Sequence, residues 1–204
     1  MADEARVDDC RVIDAVLAGD RDAYGRLVQK YQDRLFAALV RVTGCAEEAE
    51  DVAQEAFVQA LLKLDTFQQS AAFYTWLYRI AFNLSATRAR RKRPRTSLDE
   101  LRAVGGLEPA SRDGAPEEPL MVKESAKQVH VALGELAEDY RQVIVLRELE
   151  GCDYEQIAEI LQIPLGTVRS RLFRAREQLR ELLAPVLEGE RPERSEPLMN
   201  ANRR

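Results

Sequence analysis

Apolar residues recur at steps of three and four along most of the chain, and nowhere do they alternate with period two for long enough to make a strand. Val12, Ile13, Val16 and Leu17 predict a short amphipathic helix closed by Gly19, a residue that readily turns left-handed just past a helix end. Tyr24, Leu27, Tyr31, Leu35, Leu39 and Val42 trace one stripe of a longer helix. Ala49, Val52, Ala56, Phe57, Ala60, Leu61 and Leu64 trace a third, and a fourth runs from Phe73 to about Arg91.

The pattern then fails from Pro94 to Lys123. Pro94, Gly105, Gly106, Pro109, Gly114, Pro116 and Pro119 interrupt any helix, and carboxylates outnumber cations, so this stretch is expected to be a flexible linker with one short helical turn around Asp99 to Val104. Helical spacing resumes at Val129, Leu133 and Leu136 and again at Val143, Leu146 and Leu149, where Gly151 stops it. The expected fold is all-α. Two small helical domains, 1–93 and 124–184, are joined by the acidic linker 94–123 and followed by a proline-broken, disordered tail over 185–204.

The second domain holds the clearest local grammar. Asp153 followed by Gln156 has the spacing of a capping box and opens a helix through Ile157, Ala158, Ile160 and Leu161. Gln162 and Ile163 break it, and Pro164 suits the first turn of the next helix, where its missing N–H would be unpaired anyway. Two short helices across a tight turn make a helix-turn-helix. On the second of them, Leu165, Val168, Leu172, Ala175 and Leu179 form a packing stripe, while Gly166, Arg169, Ser170, Phe173 and Arg174 form another. That second stripe has the chemistry of a major-groove reader. Arginine bonds guanine O6 and N7, serine donates or accepts, and phenylalanine touches a thymine methyl. Thr167, Arg171 and Arg176 flank it and suit phosphates.

Composition sharpens this picture. With 204 residues, 46% hydrophobic and 32% charged, the chain is expected to be soluble and packed, and short for most enzymes. No apolar run is long enough for a membrane span and the acidic start is no signal peptide, so a cytoplasmic protein without membrane insertion is expected. Cys10, Cys45 and Cys152 lack ligand spacing and His130 is the only histidine, so we expect reduced cysteines, no metal, no cofactor and no catalytic residue. The net charge of -5 hides two basic islands. Between Asp65 and Asp99 there is no carboxylate, only Arg79, Arg88, Arg90, Arg91, Lys92, Arg93 and Arg95; from Leu165 to Arg180, five arginines face Glu177 alone. Two separate polyanion contacts are implied.

The first island follows an aromatic helix. Phe73 and Phe82 read as core, whereas Trp76, Arg79 and Asn83 fall on a different face. For that face two readings stay open: ordinary packing, or bases of a melting strand stacked on the ring with cations on the phosphates.

With both islands in view, the chain resembles an extracytoplasmic-function (ECF) sigma factor of the bacterial sigma-70 family. The resemblance rests on Asp51-Val-Ala-Gln-Glu-Ala-Phe57, on Ala72-Phe-Tyr-Thr-Trp-Leu-Tyr-Arg-Ile-Ala81, and on Tyr154-Glu-Gln-Ile-Ala158 followed by Pro164-Leu-Gly-Thr-Val-Arg-Ser-Arg-Leu-Phe-Arg-Ala-Arg176. It implies a non-enzymatic subunit that directs core RNA polymerase to promoters by reading minus-10 and minus-35 elements. Asp51, Gln54 and Glu55 would dock on the β′ clamp helices, with a further contact to the β flap. Phe67, Ser70, Trp76, Arg79, Asn83, Arg88, Arg90 and Arg91 would serve the minus-10 element. Gly166, Thr167, Arg169, Ser170, Arg171, Phe173, Arg174 and Arg176 would serve the minus-35 element. An anti-sigma factor is also implied as a regulator.

A linker of about thirty residues reaches at most roughly 100 Å and as a coil averages near 30 Å. Elements about twenty base pairs apart lie roughly 70 Å apart, at about 3.4 Å per pair. The tether alone cannot set that distance, so the polymerase must. The competing reading is a helix-turn-helix regulator acting without core polymerase, which leaves Asp51 to Phe57 and the aromatic helix without a task.

Overall fold

The computed structural model describes residues 2–68, 71–92 and 120–189. Every regular element among them is helical. None of these helices is long and apolar enough to cross a membrane.

The N-terminal unit is built from α1 (Ala2–Leu17), α2 (Arg21–Thr43), α3 (Ala46–Leu62) and α4 (Phe73–Lys92), with a 3₁₀ turn over Leu64–Thr66. Asp20 starts α2 by accepting the Ala23 N–H at 3.2 Å, and Gly44 ends it at φ 72°, a left-handed value that costs glycine little. Leu27, Leu35, Ala38 and Leu39 then face α1, α3 and α4 with no more than 1% of their surface exposed. α4 is enclosed on most sides. Phe73, Trp76, Leu77, Tyr78, Ala81 and Phe82 are all buried, because α2, α3 and part of the C-terminal unit each cover a face.

The C-terminal unit comprises α5 (Leu120–Glu135), α6 (Glu138–Ile144), a π-helical turn (Val145–Leu149), α7 (Tyr154–Leu161) and α8 (Leu165–Gly189). The capping box forms as its spacing predicts. Gln156 N–H donates to Asp153 at 2.7 Å, and the Asp153 N–H donates to the Gln156 side chain at 2.9 Å. Gln162 takes φ 54° in the turn; α8 packs on α5, α6 and α7, and its Val168, Leu172 and Ala175 are each no more than 1% exposed.

Two boundaries differ from the sequence expectation. α5 begins at Leu120, inside the stretch assigned to the linker, once Pro119 is passed. α8 continues through Pro185 to Gly189 instead of ending before it: the ring's φ is itself helical, and this near the helix end it forfeits little beyond one backbone hydrogen bond. Residue 93, residues 94–119 of the linker with the turn expected at Asp99 to Val104, and residues 190–204 of the tail lie outside the described residues.

Both expected units are present, and they are docked on each other. α4 lies against α7, α2 lies against the π turn, and the buried side chains of the two form one continuous core.

Candidate nucleic-acid interface

α8 sorts its residues as a groove-reading helix requires. While Val168, Leu172 and Ala175 face inward, Gly166, Arg169, Ser170, Phe173 and Arg174 all lie exposed. Phe173 has 63% of its surface open, a large apolar ring held among cations. The Ser170 hydroxyl is parked on the Thr167 carbonyl at 3.1 Å. Two flanking arginines are engaged within the unit: Arg171 with Asp139 at 2.5 Å and Arg176 with Glu148 at 2.6 Å. Both pairs are exposed, so they are weak and easily exchanged for a phosphate.

The candidate residues of the N-terminal unit divide differently. Trp76 does not sit on a face of its own. It is buried with Phe73, their ring centroids 5.9 Å apart, and Phe67 closes the cluster at 5.2 Å from Trp76 and 5.8 Å from Phe73. The separation of Trp76 from the core stripe is therefore corrected: a helix covered by several neighbours buries more than one face. Phe67 keeps part of its ring accessible, Asn83 and Arg90 are exposed, and Arg79 reaches Glu159 of α7 at 3.8 Å. Ser70 and the Arg91 side chain lie outside the described residues.

Arg88 joins two sets of residues that the sequence keeps apart. Its guanidinium reaches Glu55 at 2.7 Å and Asp51 at 3.5 Å. The outer face of α3 thus combines the Asp51, Gln54 and Glu55 polar groups with exposed Val58, Leu61 and Leu62. Leu61 is 42% exposed, not part of the buried stripe as its spacing suggests. Sequence reasoning missed this mixed patch. The available signal was an apolar arc on α3 too wide for one packing face.

A family model described as Sigma-70 region 2 matches residues 27–95, and one described as Sigma-70, region 4 matches residues 126–179. The chain is 41% identical over 184 residues to the RNA polymerase sigma-H factor of Pseudomonas aeruginosa, covering 88% of this chain and 95% of that protein. It is 40% identical over 176 residues to the ECF RNA polymerase sigma factor SigW of Bacillus subtilis, covering 84% and 94%. Among solved structures, it resembles CnrH in complex with the cytosolic domain of CnrY, with a TM-score of 0.60, 25% identity, and coverage of 88% of this chain and 96% of that one. It also resembles the sigma factor RpoE in complex with the anti-sigma factor NepR from Bartonella quintana, with a TM-score of 0.61, 26% identity, and coverage of 79% and 96%.

Proposed function

The chain belongs to the sigma-70 family, in its extracytoplasmic-function group, and from that premise we propose a division of labour among its surfaces. As an RNA polymerase sigma factor it acts in transcription initiation. α8 reads the minus-35 element, with Arg169, Ser170, Phe173 and Arg174 on base edges and Thr167, Arg171 and Arg176 on phosphates. The observation that carries this is the exposed Phe173 on the face opposite the fully buried Val168 and Ala175. An apolar ring held among arginines suits a thymine methyl, with the cations beside it placed for base edges and phosphates.

α3 docks on core polymerase. Asp51, Gln54 and Glu55 supply the polar contacts to the β′ clamp helices, while Val58 and Leu62 supply apolar area beside them. Arg79, Asn83, Arg88 and Arg90 contact the phosphates and separated strand of the minus-10 element, and Phe67, half-buried at its edge, is the ring available to an extruded base. Trp76 supports that ring from below. The protein performs no catalysis of its own and works in the cytoplasm. The solved relatives bound to CnrY and NepR support an inhibitory partner for this chain too.

Transcription on a promoter library with bacterial core enzyme tests the proposal. Discrete start sites that depend on added protein are expected. Specific duplex binding by the protein alone, with no transcript when core is supplied, would favour the helix-turn-helix regulator instead.

A further inference from the structure

On α1 the inward stripe runs Asp9, Val12, Ile13 and Val16, so a carboxylate stands where helical spacing calls for an apolar side chain. Asp9 is 4% exposed and is the one charged side chain of α1 that is buried among the described residues. Both of its oxygens are taken up by α2: one accepts from the Tyr31 hydroxyl at 2.5 Å and the other from Lys30 Nζ at 2.5 Å. The Lys30 ammonium also lies 5.3 Å from the centre of the Tyr31 ring.

Tyr31 leads on to the rings at the minus-10 edge. Its centroid is 5.7 Å from that of Phe73, which meets Phe67 edge-on at 83° and Trp76 at 5.9 Å. An unbroken chain therefore links a carboxylate on the first helix to the ring assigned to an extruded base. α1 reaches the same place by a second route. It lies against the 3₁₀ turn Leu64–Thr66, and Phe67 follows directly, its N–H donating to the Leu64 carbonyl at 3.2 Å.

Stability alone does not call for this arrangement, because a buried ion pair is on balance worth no more than well-packed apolar side chains of the same volume. What the carboxylate adds is direction. Its hydrogen bond fixes where the Tyr31 hydroxyl points, whereas apolar contact is non-directional. Edge-to-face contacts depend on ring orientation, so the setting of Tyr31 passes through Phe73 to Phe67. Burial first, and then the bond to Asp9, push the Tyr31 pKa upward, so the hydroxyl keeps the proton that it donates.

We propose that Asp9 is a positioning residue for the minus-10 base site: it touches no DNA and acts by fixing Tyr31 and, through Phe73, the ring of Phe67. α1 is thereby part of the promoter-reading apparatus. The effect on base reading rests on the role proposed above for Phe67; the coupling of Asp9 to the ring cluster does not.

Trp76 is the chain's only tryptophan, so its emission reports the cluster without a label. In the free full-length protein, Asp9→Ala and Tyr31→Phe, the second of which keeps the ring and removes only the hydroxyl, should each shift that emission to the red and raise its quenching by acrylamide about twofold, with helicity retained. Asp9→Asn, whose amide oxygen still accepts from Tyr31, should stay near the wild type. Transcription by the reconstituted holoenzyme, on a library carrying every base at each minus-10 position, then reads the consequence. Preference at the extruded base should fall about fivefold in Asp9→Ala and Tyr31→Phe and return in Asp9→Asn, while preference among minus-35 variants stays constant. Unchanged emission and quenching in both variants would refute the coupling. Altered emission with the base preference intact, or an equal loss of transcript on every promoter, would refute the positioning role and leave Asp9 a stability residue. A wild type without preference at any minus-10 position would remove the role of Phe67 and with it the task of Asp9, while the emission would still decide the coupling.

Discussion

Arg174 and Trp76 lie in the two basic islands, and their surroundings assign them opposite kinds of importance. Arg174 is exposed, with no ion-pair partner among the described residues, so Arg174→Ala should leave the fold intact and cost about 1–3 kcal/mol of minus-35 discrimination. Competition transcription between promoters differing in that element measures it. Trp76 is packed against Phe67 and Phe73, so Trp76→Ala should cost about 3–5 kcal/mol of stability in denaturant unfolding. Full stability after that change, with loss of promoter melting alone, would return Trp76 to the DNA surface. The sequence marks both residues as candidates through type and spacing; only the packing around α4 separates them.

Among the helices, legibility followed how many neighbours each one has. α7 and α8 were readable almost residue by residue, because a cap, a proline and one covered face leave a simple stripe. Asp153→Ala should lower the melting temperature by a few degrees, reflecting about 1 kcal/mol for a lost N-cap. α4 was not readable in the same way, since periodicity assumes one buried face and α4 has several. On α3 the error ran the other way, with Leu61 assigned to a core it does not enter. The adjacent Leu62 is 71% exposed, so Leu62→Lys should change stability by less than about 0.5 kcal/mol. The same change should weaken core-polymerase binding about tenfold, or about 1.4 kcal/mol, in a titration of core with labelled protein. Unaltered binding would take the apolar part of α3 out of the polymerase interface.

For the molecule as a whole, the order of units along the chain was legible, and their docking was not. Neither Glu150 nor Arg34 stands out in its own segment, because a buried pair made across 116 positions leaves no local periodicity. Composition favoured separate domains, and their packing makes one body of them. A free tether cannot set the distance between two promoter elements, so the account requires the polymerase to fix it. Lengthening or shortening the spacer between the two elements one base pair at a time, in transcription by the reconstituted holoenzyme, tests this most directly. Each step shifts the elements by about 3.4 Å and rotates them by roughly a tenth of a turn. A single sharp optimum, with transcript falling about tenfold within two base pairs on either side, is the predicted result; near-constant output across five or more spacer lengths would mean that a free tether, and not the polymerase, sets the distance.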